Sequence, residues 1–256
     1  MSIILEINNL YFKYDNVNVS DDKDTKNIIA SLNLIVSQNE VIGIAGANGS
    51  GKSTLLKLIR GILIPYKGKI TLKENIISQD GINYLLPKIK YITQNPINTL
   101  YPTLTLYENY MVTVSKTNQL SFYSSKKEKK KFYELLVKPN MGLEEYMNTQ
   151  VRFLSGGQQQ VFAVLLGLNN NENSIILLDE PTAALDGNVK QRILSLVKSE
   201  IKNQKSSAIL ISHEISDLVQ YCDRVLVLKT GNIQYQNKIT QSTNVETLKE
   251  IILNQI

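Results

Sequence analysis

The sequence predicts an α/β fold built on a mostly parallel sheet, and three observations carry that expectation. Strand and helix patterns alternate through the C-terminal half. The run Ile175-Ile176-Leu177-Leu178 is continuously apolar, as strands covered by helices on both faces are. A glycine-rich turn, Gly46 to Gly51, lies between an apolar strand and the start of a helical pattern.

Taken in order, Ile3–Ile7 and Ile28–Val36 read as strands, the second with alternating apolar positions. Val41–Ala45 is a strand that runs straight into the glycine turn, and Lys52–Arg60 places Leu55, Leu56 and Ile59 at helical spacing. Gly68–Leu72 and Lys88–Thr93 read as further short strands. From Asn95 to Phe153 β-branched runs are few, Leu104–Val114 is helix-like, and the segment reads as an inserted helical lobe. Beyond Leu154 come a helix after Gly156, a buried strand Ser174–Leu178, a helix near Asn188–Ile201, a strand Ala208–Ile211, a short helix after His213 and a strand Val225–Leu228. Thr247–Ile256, with Leu248, Ile251, Ile252 and Ile256, reads as a C-terminal helix packed on the core.

Composition narrows the function classes. With 256 residues, 43% hydrophobic and 20% charged, the chain is an ordinary globular protein rather than a fibrous or disordered one. The longest apolar stretch, Val161 to Leu168, falls well short of the ~20 residues needed to cross a bilayer. Met1 to Glu6 has no basic n-region, so the chain is expected to stay in the cytosol. One cysteine, Cys222, and one histidine argue against an internal disulfide, a thiolate cluster or a protein-built transition-metal site. The net charge of +5 suits weak attraction to anionic surfaces and does not call for nucleic acid. The basic run Lys126–Lys131 reads as a solvated helix face, with anionic lipid as the alternative contact.

Chemistry enters at Gly46-Ala47-Asn48-Gly49-Ser50-Gly51-Lys52-Ser53-Thr54, which matches G-x-x-x-x-G-K-[ST] in its required strand-to-helix setting. Glycines let successive backbone N–H groups point at one anion, and the helix N-terminus adds positive potential. Lys52 supplies a cation for β- and γ-phosphates, and Ser53 a hydroxyl for Mg²⁺. Ser155-Gly156-Gly157-Gln158 opens the next helix and suits an anion too, although by itself it reads as a helix cap with Ser155 as N-cap. Asp179 and Glu180 end an apolar strand. In an open parallel sheet that edge faces ligand, so Asp179 suits Mg²⁺ coordination, directly or through water, and Glu180 suits orienting or deprotonating an attacking water. His213 and Gln94 follow other strands onto the same edge, where His213 can meet a γ-phosphate and Gln94 the Mg²⁺ or the water.

In this order the motifs resemble the ATP-binding-cassette (ABC) family over nearly the whole chain. Walker A is Gly46–Thr54, the Q-loop Gln94, the signature Leu154–Gln158, Walker B Ile175–Asp179 followed by Glu180, the D-loop Ala183-Ala184-Leu185-Asp186 and the H-loop His213. Tyr14 matches the aromatic that stacks on adenine, with Tyr11 and Phe12 close by. The resemblance implies a P-loop NTPase core, an antiparallel β subdomain and a helical subdomain within one ATPase domain: 1–94 and 170–256 as core, 95–169 as the helical part with the signature. It implies ATP and Mg²⁺ as cofactors. Nucleotide contacts would come from Tyr14, Gly46, Asn48, Gly49, Ser50, Gly51, Lys52, Ser53, Thr54, Ser155, Gly156, Gly157, Gln158 and Asp186. Metal contacts would come from Ser53, Gln94 and Asp179, and the catalytic roles would fall to Glu180, His213, Gln94 and Lys52.

The same resemblance implies a head-to-tail dimer, a membrane permease partner at the cytoplasmic face of the cell membrane and, for an importer, an extracytoplasmic solute-binding protein. Val161 and Leu166 stand where family members commonly carry arginine, and Ala183 where the D-loop usually begins with serine. With Asn95–Thr99 and Thr103–Thr105, these departures look like importer cassettes of the tryptophan/tyrosine-related type. The alternative class is a soluble ABC-type ATPase switch in translation or cofactor assembly, which would have no membrane partner.

Overall fold

Three five-residue strands, β3 (Val41–Ala45), β7 (Ile175–Asp179) and β8 (Ser207–Ile211), are buried along their whole length, as apolar runs sandwiched between two helical layers must be. The structure, a computed structural model, describes residues 2–14, 27–77, 85, 88–114, 126–169, 174–240 and 245–255. In it these strands join β6 (Ile89–Ile92), β9 (Arg224–Lys229) and β10 (Asn232–Lys238) in a six-stranded sheet of order β10-β9-β3-β8-β7-β6. All pairs are parallel except the β10 edge. A second, antiparallel sheet has the order β2-β1-β4-β5, from β1 (Ile3–Phe12), β2 (Ile29–Ser37), β4 (Lys67–Leu72) and β5 (Asn75–Ile76).

The α/β class is as the sequence indicates, and the division into a parallel and an antiparallel sheet is as the family resemblance implies. Helix α1 (Lys52–Ile59) buries Leu55, Leu56, Leu58 and Ile59 between the two sheets, each worth about 1.5–3 kcal/mol relative to exposure. On the other face of the parallel sheet a second core gathers α2 (Leu106–Val114), α3 (Lys126–Val137), α4 (Gly156–Leu168), α5 (Gly187–Asn203), α6 (Ile215–Tyr221) and α7 (Val245–Gln255). In α3 the lysines face outward while Phe132, Leu135 and Leu136 are buried, and Lys131 pairs with Glu128 at 2.8 Å. In α7 Leu248 and Ile252 are buried as the sequence indicates, but Ile251 faces outward and is exposed; Ile256 lies outside the described residues. Among the described residues no helix is long and apolar enough to cross a membrane.

Two strands exceed or escape the sequence expectation. β1 continues past Ile7 to Phe12 because Asn8 and Asn9 sit in an irregular, bulged stretch rather than a break. Asn9 has φ 48, its N–H donates to Asn33 Oδ1 and its Oδ1 accepts from Ser31 Oγ, so the polar pair is absorbed by cross-strand bonds. β10 is a polar edge strand with little apolar signal, joined to β9 through Thr230 (φ 48) and Gly231 (φ 78), the positive pair of a tight hairpin turn.

Candidate functional site

Register decides what meets at the carboxyl edge of the parallel sheet. Ile92 pairs with Leu178, so Gln94 and Glu180, each two residues further on, stand side by side, and Gln94 Nε2 donates to Glu180 Oε2 at 3.3 Å. Asp179 pairs with Ile211, and the Glu180 N–H donates to Ile211 O at 3.1 Å. His213, just beyond, thereby places Nε2 2.7 Å from Glu180 Oε1. Glu180 is thus held between Gln94 and His213, with its backbone in the left-handed region at φ 51. For a non-glycine residue that conformation costs about 1–3 kcal/mol.

The loop after β3 lies on the same edge. Gly46 has φ 154, and a Cβ there would come 2.3 Å from Leu228 O, so no side chain fits. Lys52 is buried and its Nζ donates to the carbonyls of Gly46 and Ala47 at 2.7 and 2.9 Å. Burial lowers its pKa, against the opposing fields of Glu180 and Asp179. Ser53 Oγ donates to Asp179 Oδ1 at 3.2 Å. A cleft of about 630 Å³ opens here, lined by Ser53, Gln94, Asp179, Tyr91 and Lys57 among others.

Two observations bear on whether these residues fit a phosphate and Mg²⁺. Among the described residues Ser50 Oγ is buried without a hydrogen-bond partner, an orphaned hydroxyl inside the glycine cradle that a phosphate oxygen would satisfy. Ser53 Oγ and Asp179 Oδ1 are hard oxygen donors already converging, the donor type Mg²⁺ takes. The residues present fit both groups.

Tyr91 was not singled out from the sequence. Its hydroxyl donates to Asp179 Oδ2 at 3.0 Å, which fixes one carboxylate oxygen and leaves Oδ1 toward Ser53. Burial, and then the Asp179 charge, push the phenol's pKa well above its usual value, so it stays a donor. Its one sequence signal is its place in β6, three residues before Gln94.

The remaining expected residues are placed as follows. Tyr14 is 44% exposed, stands edge-on to Phe12 at 4.9 Å and lies 3.3 Å from Thr54 Oγ1, beside the end of the phosphate loop. Phe12 is buried, and Tyr11 packs on Tyr66 under Lys67; Tyr14 is the most exposed aromatic of the three. Ser155 and Gln158 form a capping box at the start of α4: Gln158 N–H donates to Ser155 Oγ, and Ser155 N–H to Gln158 Oε1. Their bonds go to each other and not to residues 46–54, so the two glycine elements are not joined within the chain. Asp186 caps α5, accepting from the N–H groups of Asn188 and Val189. Asn48, Gly49, Gly51, Gly156 and Gly157 lie in the two glycine segments as expected.

Comparison with known proteins places these features in one family. The profile of the ABC transporter family matches residues 29–183. The tyrosine transport ATP-binding protein of Clostridioides difficile (strain R20291) is 27% identical over 226 residues, covering 88% of this chain and 89% of that protein. Among solved structures, the ATP-binding cassette MJ0796, a dimer in a post-hydrolysis state bound to ADP and Pi, superposes with a TM-score of 0.78 at 26% identity, covering 93% of this chain and 99% of that one. The cbiO1 subunit from Clostridium perfringens, part of the ABC transporter complex cbiONQ, gives 0.77 at 26% identity, covering 99% and 93%.

Proposed function

This chain belongs to the ABC transporter family, and on that premise we propose that it is the ATP-hydrolysing subunit that powers solute transport by a partner membrane permease. The observation that carries the reading is the convergence on Glu180, where register alone brings Gln94 and His213 from the two strand ends flanking β7 to one carboxylate, next to Asp179 and the phosphate loop.

In this reading Gly46 to Thr54 wrap the β- and γ-phosphates, Lys52 offsets their charge and Tyr14 stacks on adenine. Ser53 and Asp179, with Gln94 alongside, would hold Mg²⁺, which when bound neutralises developing phosphate charge. Glu180 orients the attacking water and takes its proton, while Gln94 and His213 keep the carboxylate aimed at the γ-phosphate side. Two copies pair head to tail, so that Ser155 to Gln158 of one face the phosphate loop of the other. The open turn at Gly156 supports this, since a Cβ there would meet nothing within 4 Å and the turn lies at a helix N-terminus. Residues 95–169 act as the helical subdomain that carries motion to the permease at the cytoplasmic membrane face. For an importer of the tryptophan/tyrosine-related type, an extracytoplasmic solute-binding protein completes the assembly.

Affinity purification from detergent extract tests the reading. A polytopic membrane protein should co-purify, and the complex should release phosphate from ATP. Recovery with ribosomes or a soluble scaffold instead would overturn the transport assignment.

A further inference from the structure

Away from the phosphate loop, a side-chain cluster between α5 and α6 flanks His213. Lys190, one turn into α5, is nearly buried and reaches across to α6, where its ammonium pairs with Glu214 Oε2 and lies 3.4 Å from Asp217 Oδ2. Asp217 is itself only 6% exposed. Its Oδ2 accepts from Ser212 Oγ at 3.3 Å, and the same Ser212 Oγ accepts from the Glu214 N–H at 3.1 Å. Ser212 and Glu214 are the two residues that flank His213. The imidazole that touches Glu180 therefore hangs from a loop tied down on both sides, and both ties end on Lys190.

The other end of that connection matters as much. Lys190 N–H donates to Asp186 O at 2.8 Å, in the turn where Asp186 caps α5. The segment 183–186 thus leads directly into the turn that carries Lys190. Ala183, Leu185, Lys190, His213, Asp217 and Glu180 line one cavity of about 220 Å³. Residues 183–186 are thus connected to the His213 loop through Lys190, Asp217 and Ser212.

We propose that Lys190 is a positioning residue for hydrolysis: it holds the His213 loop in register with the segment 183–186, and so sets the contact between His213 and Glu180. The inference rests on the functional reading above, in which His213 and Glu180 act on the γ-phosphate side. A neutral side chain at 190 leaves Glu214 and Asp217 as two carboxylates without their shared cation, and their repulsion opens the loop that carries His213.

The test is a double-mutant cycle on phosphate release by the full transporter complex, with Lys190→Met, Lys190→Arg, His213→Ala and the Lys190→Met/His213→Ala pair. Lys190→Met is expected to lower kcat by about tenfold with KM for ATP changed less than about twofold, because it acts on the reacting geometry and not on nucleotide contacts. Lys190→Arg, which keeps a cation within reach of both carboxylates, should recover most of the rate. In the His213→Ala background, Lys190→Met should cost little more, since residues acting through one group are non-additive. If the two losses multiply, or if KM rises while kcat holds, Lys190 does not act through His213 and the proposal is wrong. If His213→Ala alone leaves kcat intact, the functional reading of His213 fails first, which separates the two outcomes. Should Lys190→Met not fold, Asp217→Asn takes its place in the cycle with the same expected non-additivity.

Discussion

Glu180 has three constraints on one residue: an amide from Gln94, an imidazole from His213 and a backbone bond to Ile211 that holds a left-handed φ. Such a conformation persists only where its surroundings over-determine it, and here they aim a carboxylate past the end of β7. Glu180→Gln keeps the shape and removes the carboxylate proposed as the base. Turnover should fall by at least ~100-fold with ATP affinity nearly unchanged; steady-state phosphate release together with nucleotide titration checks it, and retained turnover would remove Glu180 from its role. At the other end of the nucleotide, Tyr14→Ala should weaken ATP binding by about 1–3 kcal/mol, the worth of an aromatic–base stack, while Tyr14→Phe should be mild. Calorimetric titration decides it. Loss of affinity from Tyr11→Ala instead would place adenine elsewhere, although the Tyr66 and Lys67 contacts of Tyr11 speak against that. At this scale the sequence was legible wherever a residue type is demanded by chemistry, as at Lys52, Asp179 and Glu180. It was silent on Tyr91 and Lys190, whose importance comes only from which carboxylate the fold places opposite them.

Elements were legible to the degree that burial wrote itself into their pattern. The all-buried strands β3, β7 and β8 and the amphipathic α5 announce themselves, because a face that must leave water has to be apolar. β10 has no such obligation at its edge, and the pairing that defines it is backbone to backbone. Yet the turn that makes it bears on the site. Gly231 N–H donates to Ser50 O at 3.1 Å, Gly231 O accepts from Ala30 N–H at 3.0 Å, and a Cβ on Gly231 would fall 2.3 Å from Ile28 O. The β9–β10 hairpin is therefore a brace behind the phosphate loop. Gly231→Ala should destabilise the fold by about 1–3 kcal/mol through the strained positive φ and the clash, and should also weaken ATP binding by displacing Ser50. Thermal unfolding with and without nucleotide reads both effects. An unchanged melting temperature would mean the hairpin yields freely and braces nothing.

For the whole molecule, the decisive question is whether the second glycine element meets an anion, and from which copy of the chain. Two cores lie on opposite faces of the parallel sheet, and α4, which carries Ser155 to Gln158 at its start, belongs to the core on the face away from α1. That separation follows from topology, since α4 returns to the sheet on the face opposite α1. A head-to-tail dimer resolves it by letting one copy complete the other, and it makes a demanding prediction. Lys52→Ala disables the phosphate loop and Ser155→Arg blocks the second element, so each variant should be nearly inactive alone. In a mixed dimer one site carries both lesions and the other carries neither, whereas a site built within one chain leaves none intact in any pairing. Random exchange gives about half mixed dimers with one good site of two, so activity should return to at most about a quarter of wild type, less if the two sites fire cooperatively. The assay is phosphate release with the membrane partner present, and exchange is followed independently with differently tagged chains. Exchange without recovery would leave Ser155 and Gln158 with the one role their hydrogen bonds already give them, that of a helix cap.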